Sequence, residues 1–475
     1  MSLDEAVVER ASVSVAVEPG EPGRDLTSVA STEPVASAHS DDEAPVQRHV
    51  TLIMKATRLC NLRCEYCHDW RAGKDQTMSF ASLAATIKAV LTEPGHARVT
   101  FVWHGGEPTL LGVAYYEKAL LLQARYRQPG QEIRNVMQTN ATRITPEWID
   151  FWKLYSFGIG MSIDGPALIH NATRFYANGK GSWDDVARGL DMLKASDLGA
   201  SVLMVVDRPV LEYGPRAVFD FFGEMGVANF GLLACKPDNL PDVTSCTPAE
   251  HYVSPTEFNR FMSEVWDIWL DHGDPAIRIR ELSSLESKIV TGTSTECTLR
   301  GACVGDYFLV DPDATVSHCD LFVGDDAYTF GNLHTDSFAE IRSTEAAAAI
   351  QTRTSDEVDA MRACPEFEVC QGWCPHERYI SSRHHAEHDD ACCGLRGLIE
   401  HLKEHPAPAD MHPSRPARPR AVTALEGNGD RRGAGGARGT PVLLTRSAAS
   451  SSSGAGDTDR ERVSQISSIE QRSSQ

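Results

Sequence analysis

The chain has 475 residues, of which 41% are hydrophobic and 23% charged, enough for two or three domains around a sizeable core and typical of a soluble globular protein. A formal net charge of −21 argues against a general nucleic-acid binder, and no run of about eighteen apolar residues predicts a membrane span. The acidic N-terminal stretch lacks a secretory layout, so a cytoplasmic, reducing setting is expected, in which thirteen cysteines read as metal ligands rather than disulfides.

Residues 1–47 are rich in Glu, Ser, Ala and Pro and predict a disordered segment. Strands and helices then alternate. His49–Ala56 reads as a strand ending at a cysteine-rich loop, and Phe80–Leu91 as a helix. Arg98–Trp103 is a second strand, closed by Gly105-Gly106 and followed by a helix over Leu110–Tyr126. Ile133–Gln138 (strand), Pro146–Tyr155 (helix, Pro in its first turn) and Gly158–Ile163 (strand) come next. Trp183–Lys194 predicts a helix with Ser182 as N-cap. Ala200–Val206 (strand), Leu211–Met225 (helix), Ala228–Leu233 (strand) and Thr256–Leu270 (helix) complete six strand–helix units. Such alternation builds a parallel sheet with helices outside, and six units suit a partial (β/α)6 barrel of the α/β class. Ligands are expected at the strand C-termini. The expected boundaries are 48–275 for the barrel, 276–404 for a cysteine-rich extension and 405–475 for a Pro-, Arg-, Gly- and Ser-rich disordered tail.

The first cysteine cluster is Cys60-Asn-Leu-Arg-Cys64-Glu-Tyr-Cys67. Soft thiolates favour iron–sulfur clusters or zinc. Three thiolates on a four-iron cube leave one iron open to chelate a methionine's amino and carboxylate groups. A zinc knuckle would pair two CxxC units or add a histidine, for which His68 stands nearby. With an aromatic before its last cysteine, CxxxCxxC resembles the signature of the radical S-adenosylmethionine (SAM) superfamily, and the resemblance runs over roughly residues 49–404. It implies a [4Fe-4S] cluster on Cys60, Cys64 and Cys67 that cleaves SAM to a hydrogen-abstracting radical. It also implies cofactor contacts from Gly105, Gly106 and Glu107 of the Gly-Gly-Glu-Pro loop, Ser162 and Asp164 at the end of the fourth strand, Arg174, and Tyr66 against the adenine. For Arg174 the alternative is a surface arginine paired with Asp or Glu; for Tyr66, simple packing.

The second set is Cys297-x5-Cys303-x15-Cys319, then Cys364-x5-Cys370-x3-Cys374-x17-Cys392. It looks like the SPASM extension of the anaerobic sulfatase-maturing enzymes and of ribosomal-peptide maturases, including cyclophane-forming ones. That resemblance implies one auxiliary [4Fe-4S] cluster on Cys297, Cys303, Cys319 and Cys374, and a second served by Cys364, Cys370 and Cys392. The pattern expects a further cysteine where Met361 stands. Cys393 or a nearby His or carboxylate is a candidate substitute; without one, an iron would stay open. Cys235 and Cys246 fit no pattern and read as structural. Asp320, directly after Cys319, matches the proposed proton acceptor of the sulfatase maturases; its alternative is a loop-bonding carboxylate. Gly331-Asn332 and Gln371-Gly372-Trp373 are expected to turn around the clusters.

Two reactions fit: modification of a ribosomally made precursor peptide by closing a cyclophane between an aromatic ring and a β-carbon, or oxidation of a sulfatase Cys or Ser to formylglycine. The cyclophane reading is preferred on three features. Met361 replaces a cysteine, Thr139-Asn140-Ala141 replaces a pattern with Gly after the Asn, and Tyr66-Cys67-His68-Asp69-Trp70-Arg71 resembles peptide maturases. A flavodoxin or ferredoxin is the expected electron donor. An iron–sulfur carrier or sensor is the third class, and the Gly-Gly-Glu-Pro loop and Asp320 argue against it. The N-terminal stretch is too polar for a leader-binding winged helix, so leader recognition is expected elsewhere or absent.

Overall fold

A computed structural model describes residues 48–67, 76–237, 251–294, 296–301 and 303–411. The expected N-terminal disorder, His68–Arg71, Cys246 and the tail beyond Met411 lie outside the described residues.

The elements run β1 (Arg48–Thr57), α1 (Phe80–Thr92), β2 (His96–Gly105), α2 (Val113–Tyr126), β3 (Glu132–Thr139), α3 (Pro146–Leu154), β4 (Gly158–Ser162), α4 (Ala167–Thr173), α5 (Trp183–Ala195), β5 (Ala200–Val206), α6 (Arg208–Tyr213), α7 (Pro215–Glu224), β6 (Asn229–Ala234) and α8 (Pro255–His272). The six predicted strands form consecutive parallel neighbours, β1 to β6, in an open sheet. β1 is buried along its last six residues, as a strand covered on both faces must be. Trp103, Trp152 and Trp266 are fully buried in the one large core, each contributing about 2–3 kcal/mol of burial.

Local chemistry explains where the helices depart from expectation. The second helix starts at Val113 rather than Leu110, because a 3₁₀ turn over Pro108–Leu111 ends at Gly112, φ 72°. The helix expected over Leu211–Met225 is two: Gly214 at φ 90° ends α6, and Pro215 opens α7. Ser182 occupies the N-cap position of α5 without capping it; its hydroxyl donates instead to the Arg174 carbonyl at 2.9 Å. Thr145 does cap α3, accepting from the Trp148 amide.

The cysteine-rich half is joined to the barrel through the sheet. After β7 (Arg278–Ile279) on the β6 edge and α9 (Arg280–Thr291), β8 (Tyr307–Val310) pairs in parallel with β1. β9 (Thr315–His318) and β10 (Thr329–Asn332) continue it antiparallel, giving ten strands in the order β10-β9-β8-β1-β2-β3-β4-β5-β6-β7. Helices α10 (Phe338–Arg342), α11 (Glu345–Ala360), α12 (Phe367–Cys370), α13 (Pro375–His384) and α14 (Arg396–Glu404) follow. The chain stays packed past residue 404, where the tail was expected to begin: Ala407 and Met411 are buried in the core. Among the described residues no helix is long and apolar enough to cross a membrane.

Candidate active site

The loop after β1 carries Cys60, Cys64 and Cys67 at the C-terminal end of the sheet, where backbone ends and loops converge. These thiols line a cavity of about 1000 Å³ with Tyr66, Gly105, Gly106, Ser162, Arg174 and Asp320. Three thiols on one wall, none of them in a disulfide, suit an iron–sulfur cluster with an open iron. Burial, followed by the Glu107 charge, pushes the Cys60 thiol up to about 12, and burial pushes Cys64 further. Such thiols ionise readily only with a cation beside them.

The Gly-Gly pair is explained by the cysteine loop itself. A Cβ on Gly105 would lie 2.2 Å from the Thr57 carbonyl oxygen, and one on Gly106 would lie 2.0 Å from that of Leu59. With neither present, the Gly106 amide donates to Thr57 and the Glu107 amide to Leu59, both at 2.8 Å. Gly105 also sits at φ +123°, where a side chain would be strained. The pair thus fixes the loop that presents the thiols.

Two expected cofactor residues stand behind the wall. Glu107 is fully buried and accepts from the Thr109 amide (2.9 Å) and hydroxyl (2.6 Å), the Thr139 hydroxyl (2.7 Å) and the Asn140 amide (2.7 Å). It ties the β2 loop to the end of β3, and burial raises its carboxyl despite those donors. Asp164 accepts from Arg174 Nε at 2.6 Å, the Val205 amide at 3.0 Å and the Tyr66 hydroxyl. Burial would raise its carboxyl, but the Arg174 charge and hydrogen bonds hold it below the usual range. Arg174 is therefore buried rather than a surface residue, and its guanidinium faces the Cys64 sulfur at 4.0 Å and the Tyr66 ring at 5.4 Å. It brings positive charge to the edge of a site built to hold anionic thiolates.

Other residues at the wall had no site role assigned from the sequence. Asn140 Nδ2 lies 3.8 Å from the Cys60 sulfur, and Gln138 donates to Ser162 Oγ at 3.2 Å. Ala141 lies at φ 61°, a left-handed position that favours glycine, which gives the Thr139-Asn140-Ala141 departure a physical meaning. Only the glycine at the facing position 189 leaves room: a Cβ there would approach the Ala141 carbonyl oxygen to 2.3 Å. His104, also on the wall, contacts the Nζ of Lys55, which is fully buried in β1, at 3.1 Å.

The C-terminal thiols form two groups. Burial, followed by the charge of Cys374, pushes the Cys297 and Cys303 thiols up to about 12, and burial with the Asp320, Cys374 and Cys297 charges pushes Cys319 up as well. His318 Nε2 lies 3.8 Å from Cys303. Half-buried Lys236, paired with Glu377, brings positive charge toward Cys374 and Cys319. Cys319 takes φ 54°, which turns the next residue, Asp320, into the cavity. Cys364, Cys370, Cys392 and Cys393 make the second group, while Met361 is buried in the apolar core. Gln371, Gly372 and Trp373 all have positive φ, so the turn between Cys370 and Cys374 is a tight left-handed one.

Comparison with known proteins agrees with this arrangement. Residues 54–211 match the radical SAM superfamily and residues 302–371 match SPASM, an iron–sulfur cluster-binding domain. The serine-type anaerobic sulfatase-maturating enzyme of Klebsiella aerogenes is 28% identical over 346 residues, 71% of this chain and 82% of that protein. The cysteine-type enzyme of Clostridium perfringens is 27% identical over 332 residues, 68% and 88% of the two chains. Native anSMEcpe, solved with AdoMet and a Cp18Cys peptide, superposes with a TM-score of 0.65 at 27% identity, covering 75% of this chain and 98% of that one. Streptococcus suis SuiB bound to precursor peptide SuiA shares the fold, with a TM-score of 0.50 at 14% identity over 70% and 73%.

Proposed function

The chain is a radical SAM enzyme with a SPASM domain, holding [4Fe-4S] clusters and using SAM, and from that premise we propose that it oxidises the β-carbon of one residue in a peptide substrate, with Asp320 as the proton acceptor. One observation carries this reading: among the described residues lining the cavity, Asp320 alone comes from the C-terminal half, and it follows a cysteine of that half. When bound, the cofactors supply a radical that takes one hydrogen atom and an acceptor for a second electron. The residues of the chain do the rest. Ser162, Arg174, Tyr66 and the glycine loop hold SAM against Cys60, Cys64 and Cys67. Asp320 takes the proton that the substrate must lose for a two-electron oxidation to finish.

A second cavity of about 650 Å³ shares Leu233 with the first and is lined by Phe258, Met262, Leu285, Leu299 and Trp373. It suits an apolar or aromatic side chain near the reacting residue. If an aromatic ring captures the oxidised carbon, the product is a cyclophane; Met361 and Ala141, both departures from the sulfatase-maturase pattern, favour it. If instead the oxidised carbon forms a double bond to the residue's own oxygen, or to its sulfur followed by hydrolysis with release of hydrogen sulfide, the product is formylglycine, and the sulfatase-maturating relatives favour that outcome equally. The partners in this reading are a precursor peptide or sulfatase and a flavodoxin or ferredoxin donor. The test is anaerobic turnover of reconstituted enzyme with SAM, reductant and a candidate peptide, followed by mass spectrometry and an aldehyde-reactive hydrazide. Loss of two hydrogens with a crosslink and no adduct gives the cyclophane; an adduct at Cys or Ser gives formylglycine. Formation of 5′-deoxyadenosine with neither product from any peptide overturns the peptide reading.

A further inference from the structure

We propose that Cys393 is the fourth thiolate of the second auxiliary cluster, replacing the ligand lost at Met361 and leaving that cluster with no open iron. This deepens the SPASM assignment and does not depend on which peptide product forms.

Three observations carry it. First, Cys392 and Cys393 line one cavity, the Cys393 thiol interacts with those of Cys370 and Cys392, and Cys364 feels the charge of the same pair. The four thiols therefore converge, although the chain brings them from the turn after α11, the end of α12 and the loop before α14. Second, Met361 is only 2% exposed and packs in the apolar core, where its thioether, a weak ligand, serves packing. Third, Cys393 has the backbone dress of a cluster ligand. The amide two residues ahead donates to the sulfur of Cys60 (from Leu62, 3.4 Å) and likewise to those of Cys319, Cys364, Cys370, Cys374 and Cys392. Cys393 receives the same bond from Leu395, also at 3.4 Å. Cys235, equally buried, receives none among the described residues. Amide-to-sulfur bonds stabilise thiolates on a cluster, and a purely structural thiol has no need of one.

A fully thiolate-bound cluster cannot take a substrate atom as a ligand. It is left with electron transfer, and the second auxiliary site becomes a relay between the cavity side and an external redox partner.

The experiment uses full-length protein carrying C60A, C64A and C67A, so that only the auxiliary clusters remain. Iron and sulfide content, electron paramagnetic resonance and Mössbauer spectra are recorded for this protein and with C393A, C235A or M361C/C393A added. In C393A the expected result is loss of up to about half of the bound iron, a three-iron signal, or a cluster whose spectrum moves on adding imidazole. C235A should match the parent, and M361C/C393A should regain the parent's iron content and its indifference to imidazole. A C393A spectrum and iron content identical to the parent's, or a parent whose own spectrum moves with imidazole, overturns the proposal. Were C393A to fail to fold, recovery of a four-iron spectrum in M361C/C393A still supports the assignment, and its failure there with native circular dichroism refutes it.

Discussion

The two cysteine-bearing regions gather their thiols in different ways. In the barrel, Cys60, Cys64 and Cys67 share one short loop, and distant residues support it: Gly105 and Gly106 against its backbone, Arg174 and Asn140 beside its sulfurs. In the C-terminal half, each group is assembled across long separations, from Cys297 to Cys374 and from Cys364 to Cys393, by helices, left-handed turns and a three-strand extension of the barrel sheet. The first design keeps one wall open to a cavity. The second draws each set of thiols from several separate elements.

The sharpest way to break that comparison is at the open site. Replacing Cys60, Cys64 or Cys67 by Ala should lower 5′-deoxyadenosine formation by about 10³-fold or more, read by chromatography, while the auxiliary iron stays bound. Next comes the junction between the regions. Asp320→Asn should leave SAM cleavage near the parent rate yet lower modified peptide by roughly 10²–10⁴-fold, the usual worth of a positioned base. An equal fall in both products would make Asp320 a support of the loop rather than a proton acceptor.

The difference between the regions also sets what the sequence could reveal. Local patterns were legible: the six strands, the cysteine loop and the glycine pair all depend on residues near one another in the chain. Periodicity also placed most of the barrel helices, with bounds that fail where Gly112 and Gly214 interrupt them, but not the short α4 or the helices after α8. What was not legible depends on long-range approach. Nothing in the spacing said that β8 would pair with β1, or that Asp164 would bond Arg174, Tyr66 and Val205. Glu107 is similar: its motif did not reveal the four donors it gathers from Thr109, Thr139 and Asn140. Cys393 could be suspected from its neighbour, but only the folded chain brings Cys370 to it.

The support of the open site can be weighed directly. Gly106→Ala places a methyl group 2.0 Å from a backbone oxygen of the cysteine loop, so the loop must move. The expected cost is about 3 kcal/mol, seen in denaturant unfolding, together with loss of the barrel cluster's iron but not the auxiliary iron. An effect of similar size comes from two buried histidines that support the same frame. Burial lowers His96 and His170 to about 4 from 6.5. As pH falls below about 6.5 the unfolded chain takes up protons first, so stability is complete above that pH and declines until the folded pKa is reached. The loss should approach roughly 3 kcal/mol for each histidine, the worth of a shift from 6.5 to about 4, measured by urea unfolding across that range. His96→Gln, which keeps a donor for the Val90 carbonyl, should flatten the slope.

The least of these effects concerns the seam between the regions. Arg58, beside Cys60, pairs with Asp311 in the turn between β8 and β9. The Arg58 side chain is 8% exposed and that of Asp311 is 21% exposed. Burial raises the Asp311 carboxyl more than Arg58 lowers it, so desolvation outweighs the attraction and the pair adds little net stability. Removing one partner is another matter, because it leaves the other charge half-buried and alone. Arg58→Met should therefore cost about 1–2 kcal/mol, below the range for a fully buried pair because water still reaches Asp311. Arg58→Met with Asp311→Leu should recover most of it. If the double variant is no more stable than the single one, the ion pair holds the cysteine loop against the C-terminal half, and the two regions are coupled through charge as well as through the β1–β8 pairing.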